Sequence, residues 1–297
     1  MKKLSLRLKL YALVITLLLV MGVSIVVTAQ LSLSDMEGRI TTETRNTVQG
    51  IVMERLGATA GQYGELVSGL FATAYRTPEV VRNVVTRNIQ ADSSGRISRI
   101  DLQETIGAVL EEQKGLSSVY AQFEPDAYDG QDRYFTGGVE EHSSDEGTLE
   151  IYYYRNPQGE VVFSRTEDPA TKYLDNRNEF GIREAEWYLC SRDSKKPCIM
   201  EPYDYEIEEG YSELMTSLVV PILDGNQFAG VVGVDINLST LQRTIQNVSQ
   251  QLYGGDSRVT LLSKKGLIAA SSHYMDHLGR PLKEALPQLA DQFAGLH

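Results

Sequence analysis

The 297-residue chain places one carboxylate, Asp235, at the end of an otherwise apolar stretch that runs from Phe228 to Ile236. Aromatic residues are concentrated upstream of it, since 11 of the 16 tyrosines lie between Tyr120 and Tyr211. A carboxylate set among aromatic rings attracts an ammonium group by ion pairing and by cation–π interaction. The pattern therefore favours a binding pocket. The alternative is that the rings pack in a core with their hydroxyls at its rim.

The two cysteines, Cys190 and Cys198, enclose a short polar loop. In an oxidising compartment this spacing predicts a disulfide. A zinc site would need two further ligands, and none is close in sequence.

Recognisable catalytic patterns are absent from the sequence. There is no glycine-rich phosphate loop, no nucleophile turn and no zinc-binding helix. His273 and His277 are four residues apart, with Asp276 as a third possible metal ligand, but an ordinary exposed loop explains them better. We expect no catalytic residues, no metal and no cofactor, so the chain is not expected to be an enzyme.

The charge balance restricts the partners. The chain carries 28 basic and 40 acidic residues, a net charge of −12. Surfaces that bind nucleic acid or anionic lipid need an excess of Lys and Arg, so we expect no nucleic-acid partner. The charge is also uneven, because no acid precedes Asp35 and the first nine residues hold four cations, Lys2, Lys3, Arg7 and Lys9.

The N-terminal region predicts a membrane anchor. Residues Leu10 to Ser34 carry no charge, and the apolar part from Leu10 to Ala29 is long enough to cross a bilayer as a helix. Because cations precede it, residues 1–9 should form a cytoplasmic tip, residues 10–30 a transmembrane helix, and the remainder should lie in the periplasm of a bacterium, at its inner membrane. The competing interpretation is a signal peptide cleaved after Val27-Thr28-Ala29.

Apolar spacing predicts helices first and strands later. Residues 31 to 75 should form one long helix, whose apolar stripe could pair with a second copy as a homodimeric stalk. A new helix is expected to start at Thr77-Pro78, and another at Asp101. Beyond Gly115 we expect a strand, three hairpins and a helix, at 118–123, 149–164, 214–236, 258–270 and 238–251. The class is therefore α+β with antiparallel sheet.

The order of hairpin and helix in residues 149–251 begins again at 258. The sequence therefore predicts two modules, a complete one over residues 31–253 that includes the long helix, and an incomplete one over 254–297.

A series of short motifs resembles the double Cache sensor region of bacterial transmembrane receptors, chiefly methyl-accepting chemotaxis proteins. Nearly the whole chain takes part in the resemblance. The motifs are Arg183-x-x-x-Trp187-Tyr188, Glu201-Pro-Tyr203, Val219-Val-Pro-Ile222, Gly230-Val-Val-Gly-Val-Asp235, Leu261 to Ala270 and Leu278-Gly-Arg-Pro281. The resemblance implies two PAS-like modules carried by one long helix, with the ligand held in the membrane-distal module.

The resemblance also implies the ligand-binding residues. Family members that bind amino acids hold them with residues that correspond here to Trp187, Tyr188, Tyr203 and Asp235. Two positions differ: Phe180 replaces a tyrosine, and Ala185 replaces the arginine that binds the α-carboxylate. Arg183 is the nearby arginine. The expected ligand is a small polar metabolite, namely an amine, an amino acid or a nucleobase-like molecule.

The resemblance finally implies a receptor that controls chemotaxis through cytoplasmic partners, reached by a region outside this chain. The same sensor on a histidine kinase or a diguanylate cyclase is the alternative, and a membrane-tethered structural or enzymatic protein is a lesser one.

Overall fold

The structure, a computed structural model, describes residues 6–91, 95–208, 210–252 and 255–287. The chain divides into two compact units, Met1–Glu65 and Leu66–His297. Helix α1, Leu6–Gln90, supplies the described part of the first unit and the beginning of the second. The predicted domain boundaries at residues 30 and 253 stay predictions.

Helix α1 continues through Pro78, so the predicted helix start at this residue is wrong. An internal proline removes one backbone hydrogen-bond donor and disfavours the helix. Packing outweighs this cost, because Phe71 and Tyr75 before the proline and Val81 and Val85 after it contact one apolar core. A break at Pro78 would separate these side chains.

The predicted membrane helix over residues 10–30 falls mostly on residues whose side chains lie outside the described set. Among the residues that are described, no helix combines the length and the apolar character needed to cross a membrane.

The second unit is built on an antiparallel sheet of seven strands in the order β3-β2-β1-β7-β6-β4, with β5 also paired to β6. This confirms the predicted α+β class. The strands are β1 Ser118–Phe123, β2 Glu150–Arg155, β3 Val161–Phe163, β4 Cys198–Ile199, β5 Tyr203–Glu208, β6 Tyr211–Asp224 and β7 Gln227–Asn237. The remaining elements are helices α2 Arg99–Glu112, α3 Glu186–Ser194, α4 Leu238–Gln251 and α5 Leu282–Ala285, and strands β8 Thr260–Leu262 and β9 Ile268–Ser271.

Alternation along the strands gives the sheet two different faces. On the core face, Val119, Ala121 and Phe123 of β1 pack with Leu102 and Ile106 of α2. The other face of the same strand carries Ser118, Tyr120 and Gln122, and helix α3 covers it with Trp187 and Tyr188. The core face is a conventional apolar core, so the polar side chains of β1 lie on the face under α3.

A second, two-stranded sheet follows α4. Strands β8 and β9 pair with each other, and Ala269 and Ala270 of β9 pack against Leu241 and Ile245 of α4. The side chain of Gln242 bonds the backbone of Ser271 on both sides, at 2.6 and 2.9 Å. The sequence predicted this order, in which the β8–β9 hairpin follows helix α4.

Gly233 in β7 makes room for a tyrosine. It lies opposite Tyr120 of β1, and a Cβ atom built on Gly233 would meet Tyr120 Cζ at 2.1 Å. The requirement for glycine is therefore one of space, because the ring of Tyr120 lies across the backbone of the neighbouring strand.

Replacing Gly233 by alanine should lower the free energy of unfolding by about 1–3 kcal/mol, because the ring of Tyr120 must leave its place. Urea denaturation followed by circular dichroism measures the loss. Gly69→Ala is the matched control: nothing lies within 4 Å of a Cβ there, so the helix should be unchanged or slightly stabilised. Equal stability of the Gly233→Ala variant and the wild type would contradict the close contact.

Candidate functional site

Strand register brings three polar residues side by side on the face under α3. Asp235 of β7 lies opposite Ser118 of β1 and opposite Ser217 of β6. Residues directly opposite in a ladder point to the same face. The carboxylate is only 4% exposed and accepts hydrogen bonds from the Ser118 hydroxyl and, at 3.3 Å, from the Tyr203 hydroxyl. The Tyr203 hydroxyl is also 2.7 Å from Ser217 Oγ.

Three further tyrosines surround these groups. The ring centroid of Tyr152 lies 6.1 Å from that of Tyr120 and 6.2 Å from that of Tyr205, which is 6.4 Å from Tyr203. We call this set the Asp235 cluster. Its members are Asp235, Ser118, Ser217, Tyr120, Tyr152, Tyr203 and Tyr205.

Two hydroxyls of the cluster are unpaired. The oxygens of Tyr120 and Tyr152 are buried, and neither has a partner at normal hydrogen-bond distance, although the Ser217 and Tyr205 hydroxyls are near enough to affect their pKa values. Burial raises the pKa of both hydroxyls well above the usual range, and the charge of Asp235 raises it further. An unsatisfied buried hydroxyl costs about 1–3 kcal/mol, so a polar group that reached both oxygens would recover part of that free energy.

Asp235 has hydroxyl partners rather than a cationic one. Burial raises its pKa above the ordinary value, while the nearby hydroxyls of Ser118, Ser217 and Tyr203 lower it by less. A buried carboxylate without a cation is costly, and a bound cation would relieve that cost. The cluster is therefore suited chemically to an ammonium group.

Trp187 and Tyr188, the predicted aromatic pair of α3, point in different directions. Trp187 is half-buried, and its ring meets Tyr120 edge to face at a centroid distance of 5.5 Å, so it lies beside the cluster. Tyr188 is fully buried, and its hydroxyl donates to Glu124 Oε1 at 2.6 Å. Glu124 follows the end of β1 opposite to Ser118, so the Tyr188 hydroxyl points away from Asp235.

A buried ion pair, which sequence reasoning missed, supports this second region. Lys172 is 1% exposed and donates to the carboxylate of Glu150 and to the carbonyl of Phe123. Its ammonium group lies 5.4 Å from the Tyr188 ring centroid. Burial raises the pKa of Glu150 to about 7, against the opposing effect of Lys172. The pair attaches the short helix Pro169–Tyr173 to the sheet.

Phe180 and Arg183 have other partners. Phe180 is half-buried, and Cζ of the Arg280 guanidinium lies over its ring, 5.9 Å from the ring centroid. Arg183 donates to Glu186 Oε2 at 2.5 Å and to Asp193 Oδ2 at 2.6 Å, and the Glu186 hydrogen bond is the main cause of its raised pKa. The guanidinium is thus neutralised on α3. Ala185, where an arginine was expected, is buried at the start of α3.

The structure therefore brings Tyr203, Asp235 and, through Tyr120, Trp187 together. Tyr120, Tyr152 and Tyr205 were not singled out from the sequence. The sequence indicates them only through the local excess of tyrosine, which does not predict which rings lie on the same face of the sheet. The roles of all these residues in ligand binding stay predictions.

Cys190 and Cys198 form a disulfide with an S–S distance of 2.03 Å. It joins α3 to β4, which pairs with β6. Helix α3, here called the roof helix because its Trp187 and Tyr188 pack over Tyr120 of the cluster, is therefore covalently tied to the sheet that carries Ser217.

Two other features lie away from the cluster. An open depression lies at the Glu124 end, lined by Glu124, Pro125, Arg192, Lys195, Asp224, Asn226, Gln227 and Phe228. Among the described residues, no three His, Cys, Asp or Glu side chains come together in a way that could hold a metal ion. Asp235, Ser118, Ser217 and Tyr120 of the Asp235 cluster are buried, whereas Tyr152 and Tyr203 are half-buried and Tyr205 is 38% exposed.

The raised pKa of Asp235 predicts a pH effect on stability. Above the ordinary value of 3.8, the unfolded chain releases a proton that the folded chain keeps, so stability falls as pH rises towards the folded-state pKa. Asp235→Asn removes this loss. Its free energy of unfolding should therefore rise relative to that of the wild type as the pH increases above about 4.

Urea denaturation at several pH values measures the difference between the two proteins. The exposed Asp204 provides the control, because Asp204→Asn should keep the pH trend of the wild type. Parallel trends in wild type and Asp235→Asn would show that the carboxyl titrates as it does in the unfolded chain.

Comparison with known proteins identifies the kind of domain. Residues 102–243 match the family described as methyl-accepting chemotaxis protein-like, first PDC sensor domain. The methyl-accepting chemotaxis protein TlpQ of Pseudomonas aeruginosa is 30% identical over 278 residues, which make up 92% of this chain and 36% of that protein. The chain thus spans about a third of the length of this relative.

Solved structures share the fold. Methyl-accepting chemotaxis protein X superposes with a TM-score of 0.61 at 19% identity, covering 82% of this chain and 84% of that one. The periplasmic sensory domain of the Campylobacter jejuni chemoreceptor Tlp1 gives a TM-score of 0.55 at 17% identity, covering 76% and 74%. Residues 102–243 therefore form a first PDC sensor domain of the methyl-accepting chemotaxis protein-like family, and the chain shares the fold of the solved chemoreceptor sensor domains.

Proposed function

We propose that this chain is the ligand-sensing region of a transmembrane chemoreceptor, and that its Asp235 cluster binds a small organic amine. The observation that carries the proposal is a buried carboxylate whose partners are hydroxyls, next to two buried hydroxyls without partners. An ammonium group would take the place beside Asp235. A second polar group of the ligand would reach Tyr120 and Tyr152.

The aromatic rings suit the same ligand. Ammonium groups are attracted to the faces of Tyr and Trp rings, and the attraction strengthens when water is excluded. Tyr120, Tyr152, Tyr203 and Trp187 supply such rings around the carboxylate. A nucleobase could stack on them too, but it would leave the charge of Asp235 without a cation.

An α-amino acid fits less well. Its carboxylate needs a cationic partner, which a bidentate arginine usually provides. Position 185 is alanine, and the guanidinium of Arg183 is already paired with Glu186 and Asp193. A carboxylate bound near Asp235 would meet like charge without compensation, so amines are favoured over amino acids.

The receptor would be membrane-anchored and homodimeric. The uncharged run Leu10 to Ser34, with four cations before it, supports an anchor with the rest of the chain outside the cytoplasm, at the bacterial inner membrane. Exposed apolar side chains support pairing of α1 with a second copy, since a helix exposing such residues gains by burying them. They are Val48, Ile51, Val52, Met53 and Leu56.

Ligand binding would signal by stabilising the state in which helix α3 is packed over the Asp235 cluster. A ligand shifts a receptor only through its different affinity for two states. We infer that closure of α3 on the cluster is transmitted as a displacement of about 1–2 Å between packed helices. The output region is then that of a chemotaxis receptor, which the relationship to TlpQ supports.

Titration calorimetry of the purified full chain tests the ligand class. The panel is propylamine, 1,3-diaminopropane, L-alanine and adenine. We expect the diamine or the monoamine to bind more tightly than L-alanine, and Asp235→Asn to weaken binding at least about tenfold, since a hydrogen bond to a charged group contributes about 1.5–3 kcal/mol.

Asp204→Asn is the charge-matched control and should bind as the wild type does. Tyr120→Phe and Tyr152→Phe should each weaken the binding of the diamine about threefold to tenfold and that of propylamine less. Tighter binding of L-alanine than of both amines, or equal binding by wild type and Asp235→Asn, would contradict the amine site.

Transmission is tested by distance measurement. A spin label on Arg45→Cys in α1 should change its spacing across the dimer by about 1–2 Å when the tightest-binding amine saturates the protein. Double electron–electron resonance measures the spacing, and the same label in Asp235→Asn is the control. An unchanged spacing in the wild-type background would contradict transmission through α1.

A further inference from the structure

A compact loop leads directly into the roof helix. Residues 174–185, here called the tip loop, form a small closed hairpin with a bridge between Arg177 and Arg183. The side chain of Asn178 accepts from the backbone N–H groups of Phe180 and Ile182, both at 3.0 Å. The base closes where Ala185 N–H donates to Leu174 O at 3.0 Å. The tip loop is therefore ordered by its own hydrogen bonds.

The tip loop is firmly joined to α3. Arg183 at its base bonds Glu186 in the first turn of α3 and Asp193 in its last turn. The Arg183 side chain is only 13% exposed, while the carboxylates of Glu186 and Asp193 are 30% and 46% exposed, so both ion pairs are partly shielded from water. Movement of the tip loop should therefore move α3, which carries Trp187 beside the Asp235 cluster.

The far end of the tip loop is held by residues that follow β8 in sequence. The ammonium group of Lys265 donates to Phe180 O at 3.1 Å and to Gly181 O at 3.4 Å. Arg280 pairs with Glu179, and its guanidinium covers the ring of Phe180. Lys265 and Arg280 thus contact three consecutive residues of the tip loop, Glu179 to Gly181.

Both cations are fixed to the second sheet. Ile268 N–H of β9 donates to Arg280 O at 2.9 Å, and Leu282 N–H donates to Gly266 O at 3.0 Å. The backbone N–H of Lys265 also donates to Glu201 Oε1 at 3.1 Å, which joins the turn to the segment between β4 and β5 of the seven-stranded sheet. The turn 263–266 and the segment 279–282 therefore move as one piece with the β8–β9 hairpin.

We propose that Lys265 and Arg280 are positioning residues of the binding site, which hold the roof helix α3 over the Asp235 cluster by fixing the tip loop to the β8–β9 hairpin. The second sheet is then mechanically coupled to the ligand site by a route separate from α1. Displacing the hairpin loosens the roof, and closing the roof fixes the hairpin.

Single surface contacts of this kind contribute little, commonly below about 1 kcal/mol. Here two cations and three acceptors lie between elements that are each ordered internally. The contacts therefore act together on one rigid connection, and their loss should appear as local opening of the tip loop and α3 rather than as global unfolding.

Hydrogen–deuterium exchange of the full chain, measured without ligand, tests the proposal. Lys265→Met should speed amide exchange in residues 174–194 about threefold, and Lys265→Met with Arg280→Gln about tenfold, while the core strands β1 and β7 exchange as in wild type. Trp187 is the single tryptophan of the chain, so its fluorescence reports the same opening directly.

Three variants separate positioning from general destabilisation. Lys264→Met, at the neighbouring exposed lysine, should behave as wild type, and Lys265→Arg should restore slow exchange because it keeps a donor. The charge exchange Glu179→Arg with Arg280→Glu should restore what Arg280→Glu alone loses. Unchanged exchange and fluorescence in the Lys265/Arg280 double variant would overturn the proposal, and so would equal acceleration in β1 and β7. Because no ligand is used, either result is independent of the amine proposal.

Discussion

A carboxylate buried without a cation is the constraint on which the rest of this sensor domain depends. Asp235 sits in the middle of a seven-stranded sheet, where a charge is costly unless hydrogen bonds compensate it. The sheet supplies hydroxyls from its two neighbouring strands, Ser118 and Ser217, and one from Tyr203. These lower the cost without cancelling the charge. The remaining imbalance is what a cationic ligand would use.

The two faces of the sheet bury different kinds of side chain. The face against α2 is filled by aliphatic side chains, so it can fold without help from the polar face. The opposite face can then carry unpaired hydroxyls at Tyr120 and Tyr152 that a purely structural core would avoid. Gly233 belongs to this arrangement, since only a residue without a side chain lets the Tyr120 ring lie across β7.

Prediction from sequence worked where the signal is local. The hairpins of β2–β3, β6–β7 and β8–β9 follow from alternation and turn residues, and α4 follows from its apolar stripe. It failed where packing overrides local preference, as at Pro78, which lies inside α1. Helix α3 and strand β5 were not predicted, because a disulfide and pairing with β6 hold them in place.

The sequence by itself determined the fold class and the sensor family, and it singled out an isolated acid near many aromatic residues, because periodicity and short motifs are local properties. Only the tertiary structure decided which of those residues meet. Tyr188 donates a hydrogen bond to Glu124 at the far end of β1, and Arg183 is paired with Glu186 of α3. Tyr120 and Tyr152, by contrast, lie near Asp235 from other strands. Strand register and side-chain direction set these partners, and both depend on contacts between residues far apart in the chain.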